Sequence, residues 1–144
     1  MTVHLLKLCV GADCVEDLVE WQAKRMEQAR AEGKPPLPVH VTRMWPKREA
    51  ELLDGGSLYW VFKGLVLARQ RILGLAARTG EDGIRRCAIT LDPEVVRVRP
   101  LPRRPFQGWR YLAPEDAPAD LGRGERVEAL PPALAAHLDT LGVI

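Results

Sequence analysis

The chain has 144 residues, 47% of them apolar and 28% charged, so it is long enough to bury one core unaided and too apolar to be disordered over most of its length. A formal charge of only +2 does not mark it as a nucleic-acid binder on bulk charge. Its cysteines, Cys9, Cys14 and Cys87, are odd in number and lack C-x-x-C spacing, which argues against a disulfide framework and against a zinc site.

The opening run MTVHLLKLCVG is too short and too broken for a signal peptide, and no apolar run is long enough to span a bilayer. The expectation is a single domain over 1–144 that is cytoplasmic, keeps its thiols reduced and makes no membrane contact.

In chain order, Val3–Val10 reads as a buried strand ended by Gly11. Asp13 is placed to cap a helix, with Glu16 three residues on in capping-box spacing. Val15, Leu18, Val19, Gln22, Met26 and Ala29 share one face of that helix. Gly33 ends it, and Pro35, Pro36 and Pro38 forbid its return. Trp21 lies off the apolar face, one turn before Arg25. It reads as a rim tryptophan covered by the arginine stem or another segment, in preference to an exposed contact residue.

Val39–Met44 is a short strand, and Pro46 opens a helix through KREAELL that stops at Asp54-Gly55-Gly56. The run Leu58–Phe62 suits a strand buried on both faces, and Gly64 breaks it. Leu65–Thr79 is read mostly as strand, with Ala68, Gln70 and Ile72 on one face and Arg69 and Arg71 on the other. A helix through Leu65, Ile72, Leu73 and Ala76 is also tolerable.

Residues 80–83 form a hairpin loop, and the strand after it sets Cys87, Ile89 and Leu91 on one side. Asp92-Pro93-Glu94 is a tight turn, after which Val96 and Val98 face in and Arg97 and Arg99 face out. Ala113–Val127 reads as irregular. Pro131-Pro132 opens a last helix with Leu134, Leu138 and Leu141 on one face. About four strands thus run as a meander with helices at the ends. The expected fold is α+β, a small curled, largely antiparallel sheet or partly closed barrel with flanking helices.

No P-loop, GxGxxG, HExxH or GxSxG motif is present. His4, His40 and His137 are far apart and read as structural or exposed. Cys14 sits where a helix dipole would activate it, but Asp13, Glu16 and Asp17 oppose that, and Cys9 and Cys87 read as core. No cofactor and no metal site is expected.

Charge is unevenly distributed. Between Lys63 and Arg110 eleven Lys/Arg meet four acidic residues, a net +7, whereas Tyr111–Leu130 carries a net −3. Within the basic stretch, PLPRRPFQGWRYL at 100–112 crowds Arg103, Arg104 and Arg110 around Phe106, Trp109 and Tyr111. Three prolines and Gly108 argue against a helix or a central strand there. Cationic forks beside flat rings suit phosphates and bases, and they equally suit a loop that plugs its own core. The candidate nucleic-acid or anion-binding set is Arg69, Arg71, Arg103, Arg104, Phe106, Trp109 and Arg110. Trp60 reads as core.

The segments HLLKLCVG at 4–11, WPKREAELLDGGSLYWVFKG at 45–64, RQRIL at 69–73 and RRPFQGWRYL at 103–112 resemble a bacterial family of small proteins defined by a domain of unknown function, family 1489. The resemblance covers nearly the whole chain and carries no established activity. A fainter likeness in the order of parts is to the PUA-like superfamily with its ASCH and EVE domains. That likeness implies a small β-barrel with flanking helices and a cleft for RNA or modified bases, without the ASCH residue pattern. Fold alone does not fix function.

Three readings follow. The first is a module for RNA, single-stranded DNA or a modified nucleotide. The second is a protein-interaction scaffold using Trp21 or Trp45. The third is an enzyme on a small anionic or nucleotide substrate, with Glu49, Glu51 or Asp54 as base.

Overall fold

The structure, a computed structural model, describes residues 2–104, 106 and 108–121. The helix expected after Pro131-Pro132 lies outside the described residues. Along the described chain run β1 (His4–Leu8), α1 (Val15–Ala31), β2 (Val39–Thr42), α2 (Glu49–Leu53), β3 (Ser57–Phe62), β4 (Leu65–Thr79), β5 (Arg85–Leu91), β6 (Val96–Pro102) and β7 (Trp109–Leu112). One 3-10 turn follows at Pro114–Asp116.

The α+β expectation of a largely antiparallel sheet holds, and the barrel alternative is corrected. The sheet is mixed, because β1 pairs with β3 in parallel (Leu5 with Leu58, Leu8 with Val61) while the other ladders are antiparallel. It is also open and not a barrel. Its main path runs β2-β5-β4-β3-β1-β7, with β6 on β4. The two ends of this path do approach each other. The Trp109 indole N–H on β7 donates to the carbonyl of Met44, just past β2, at 2.9 Å. The Tyr111 hydroxyl accepts from the backbone N–H groups of Lys47 and Arg48 at 2.9 and 3.1 Å. Side chains bridge this seam, and no strand ladder closes it.

The expected meander is corrected as well. β6 does not fold back on β5 but continues along β4 in the same direction as β5. Ile72 faces Leu91, Asp92 N–H donates to the Arg71 carbonyl, and Arg69 faces Val96. Asp92-Pro93-Glu94 therefore interrupts one long hairpin arm and does not reverse the chain. Proline lacks the donor a ladder needs, and the Asp92 carboxylate instead accepts from Glu94 N–H.

β3 is buried along its whole length, as its unbroken apolar run requires. One face joins the larger core with Leu5, Leu58, Trp60, Phe62, Ile72 and Ile89, covered by Val15 and Leu18 of α1 and Leu52 of α2. The other face carries a second core of Leu6, Tyr59, Val61, Val66, Val98 and Leu112, against which Leu101, Phe106 and Ala117 pack.

α1 begins one residue later than the capping pattern suggested. Cys14 is the N-cap residue and has no side-chain cap bond, while Asp13 N–H donates to the Asp17 carboxylate. Val19, expected on the buried face, is exposed, and Leu18 and Gln22 carry the contact. The stretch after β7 is irregular as far as it is described, apart from the 3-10 turn and a bridge between Asp120 and Val98.

Candidate ligand cleft and cationic surface

Alternation along β4 sends Gln70 inward among apolar neighbours, where an uncharged amide must find partners. It finds four. Its Nε2 donates to Gln22 Oε1 at 2.7 Å and to the Asp92 carbonyl at 3.0 Å. Its Oε1 accepts from Gln22 Nε2 and from the Trp60 indole, both at 2.9 Å. This network ties α1 to β3 and β4 and fixes the orientation of Trp60.

A cleft of about 380 Å³ opens beside it, between α1 and β2. Trp60 and Gln22 lie along its inner wall. Trp21 and Arg25 of α1 line one side, and Pro38, His40 and Val41 the other, with Arg78 reaching it from β4. Trp21 is 48% exposed, and the Arg25 guanidinium lies 4.2 Å from its ring centroid. The guanidinium covers one face of the indole, but half of the residue stays open, so Trp21 is not the covered rim tryptophan expected.

His40 stands edge-on to Trp60 at 5.5 Å, and its Nε2 is buried without a hydrogen-bond partner among the described residues. Burial first, and then the charge of Lys7, pull its pKa down to about 4, so it is neutral at pH 7. Between pH 6.5 and about 4 the unfolded chain takes up a proton that folded His40 refuses. Stability is therefore complete above pH 6.5 and falls as pH drops through this window. A loss of about 2–3 kcal/mol is expected by pH 4.5, read by urea denaturation, and His40→Phe should remove most of it.

The residues singled out from the sequence are distributed differently. Trp109 is 8% exposed and belongs to the larger core. β7 pairs with β1 along an edge of the sheet, which turns that indole inward. Phe106 packs on the second core, with the Arg110 guanidinium 5.3 Å from its ring centroid. Arg69 is committed to Asp120 through two bonds of 2.7 and 2.6 Å and to Ser57 Oγ at 3.1 Å. Arg71, Arg104 and Arg110 are exposed and form no ion pair among the described residues.

Arg103 is half-buried. Its backbone N–H donates to the Gly64 carbonyl, and its Nε is buried without a partner among the described residues. Arg69 and Arg71 lie five and seven residues along the chain from that glycine, roughly 17–23 Å of strand, so the set is not one cluster.

Elsewhere the basic stretch is partly neutralised. Lys63 pairs with Asp13, Arg86 with Asp82 and Arg97 with Glu16. Of the proposed bases, Glu51 pairs with Arg48. Burial pushes the Cys9 thiol up to about 12 and Cys87 up to about 11. At Cys14 the backbone bond to Asp17 pulls the pKa down, but burial and the Glu16 and Asp17 side chains outweigh it, and the net shift is upward. All three thiols are free. Among the described residues no helix is long and apolar enough to cross a membrane, and no three His, Cys, Asp or Glu gather as metal ligands.

Sequence reasoning passed over the cleft. Its signals were Trp21 off the apolar face one turn before Arg25, and Gln22 on that face.

Fold and site together define an α+β protein with an open mixed sheet and an aromatic cleft beneath its long helix. The chain belongs to the family described as protein of unknown function (DUF1489), whose model matches residues 5–144. No curated protein and no solved structure matches it significantly.

Proposed function

We propose that this protein binds RNA or single-stranded DNA, or a nucleotide derived from them, by taking one base into the cleft between α1 and β2. The observation that carries the reading is the lining: the half-exposed Trp21 ring offers a stacking surface, backed by Trp60 and His40, and Arg25 and Arg78 supply positive charge at the same opening. Base stacking contributes about 1–3 kcal/mol per base, and cations beside the ring favour a ligand that carries phosphate. Arg71 on β4 and Arg110 on β7 alternate onto the opposite face of the sheet, with the second core, so the cations of this reading are those of the cleft itself. Arg69, Arg103, Phe106 and Trp109 hold these segments in place.

Fluorescence anisotropy with short labelled RNA and DNA single strands tests it. Binding is expected at about 50 mM salt and should weaken steeply as salt rises. Trp21→Ala should weaken it about tenfold, the loss of one stacking surface. No binding at low salt would overturn the reading.

A further inference from the structure

In β1 the residues with odd numbers face the larger core: Leu5 and Cys9 belong to it, while Leu6 and Leu8 belong to or pack on the second. Lys7 therefore points to the larger-core face of the sheet. Its cross-strand neighbours are Trp60 on β3 and Trp109 on β7, both members of the larger core. A half-buried lysine thus stands in a row between two tryptophans.

Among the described residues no carboxylate lies within ion-pairing distance of Lys7. Of the acids at the start of α1, Asp13 pairs with Lys63 and Glu16 with Arg97. The charge of Lys7 reaches both His40 and Cys9. A cation partly removed from water without a counter-charge is unfavourable, and an incoming anion relieves that cost. The lysine also lies in HLLKLCVG, a segment to which the proposed cleft gives no part.

We propose that Lys7 is an oxyanion subsite adjoining the cleft, holding a phosphate of the nucleotide whose base the cleft receives. The proposal rests on the nucleotide reading for its ligand. Trp60 is the shared wall: it lines the cleft, it stands beside Lys7, and His40 packs edge-on against it. Lysine suits this task as a compact point charge, and His40, neutral and with Nε2 unpartnered among the described residues, adds hydrogen-bonding capacity nearby.

Isothermal calorimetry with a nucleoside, its 5′-monophosphate and pyrophosphate tests it on the wild type, Lys7→Met and Lys7→Arg, with a thermal melt verifying that each variant folds. The wild type should prefer the monophosphate over the nucleoside by about tenfold or more, the worth of one charge-assisted bond. Lys7→Met should abolish that preference and leave nucleoside affinity unchanged, and Lys7→Arg should retain most of it. An unchanged preference in Lys7→Met overturns the subsite and leaves the cleft reading standing. Pyrophosphate binding that depends on Lys7, with no binding of nucleoside or nucleotide, supports the subsite and overturns the cleft. If none of the three binds, both fall.

Discussion

Gln70→Leu is expected to lower the unfolding free energy by about 3–5 kcal/mol, measured by urea denaturation. Gln70 is fully buried, and its amide is the partner of three other groups: the Trp60 indole, the Gln22 amide and the Asp92 carbonyl. Leucine fills a similar volume, so the loss comes from partners left dry and unbonded and not from a cavity. That mechanism has a signature. Gln22→Leu combined with Gln70→Leu should cost clearly less than the two single changes together, because each substitution removes the group that the other strands. An additive pair would show that packing dominates. The same substitution should loosen Trp60, so ligand binding should weaken even in the fraction that stays folded.

The second large effect is expected at Gly56, where α2 meets β3. Its amide N–H donates to the Leu52 carbonyl and its own carbonyl accepts from Ile72 N–H. A Cβ there would stand 2.4 Å from the Leu52 carbonyl oxygen and 2.4 Å from that of Val3. Both are backbone atoms and cannot rotate away, so α2 or the start of β1 would have to shift. The latter is tied to α2 through Val3 N–H on the Glu51 carbonyl. Gly56→Ala should cost about 3 kcal/mol or more, or leave no soluble protein. Gly74, at the β4 irregularity, is the control: nothing lies within 4 Å of its Cβ position, and Gly74→Ala should change stability by less than about 1 kcal/mol.

Local patterning made much of the fold legible. Period-two alternation assigned the inward faces of β4 and β5, and the unbroken apolar run marked β3 as buried on both sides. The glycine and proline cluster after α1 marked its end. The rest is long-range. The parallel pairing of β1 with β3 joins residues more than fifty positions apart, and no turn motif encodes it. Asp92-Pro93-Glu94 has turn chemistry whether the chain reverses or merely bulges, and only the neighbouring ladder distinguishes the two.

The site was obscured in the same way. The arginines and rings of 100–112 are conspicuous in sequence, yet pairing of β7 with β1 sends Trp109 inward and the second core takes Phe106. The cleft draws Trp21, His40, Trp60 and Arg78 from four separate elements, and only Trp21 stands out in its local context. Gln22 and Gln70, polar residues on otherwise apolar faces, were the better local clue, since such residues need a partner.

The most direct test uses the four tryptophan indole N–H resonances in a nitrogen-15-labelled sample titrated with a short single-stranded RNA. The Trp21 signal, from the exposed ring of the cleft, should move most with ligand, whereas that of Trp109, outside the cleft lining and bonded to Met44, should move least. Movement of Trp109 with Trp21 and Trp60 unmoved would place the ligand at the proline-bounded loop and contradict the cleft.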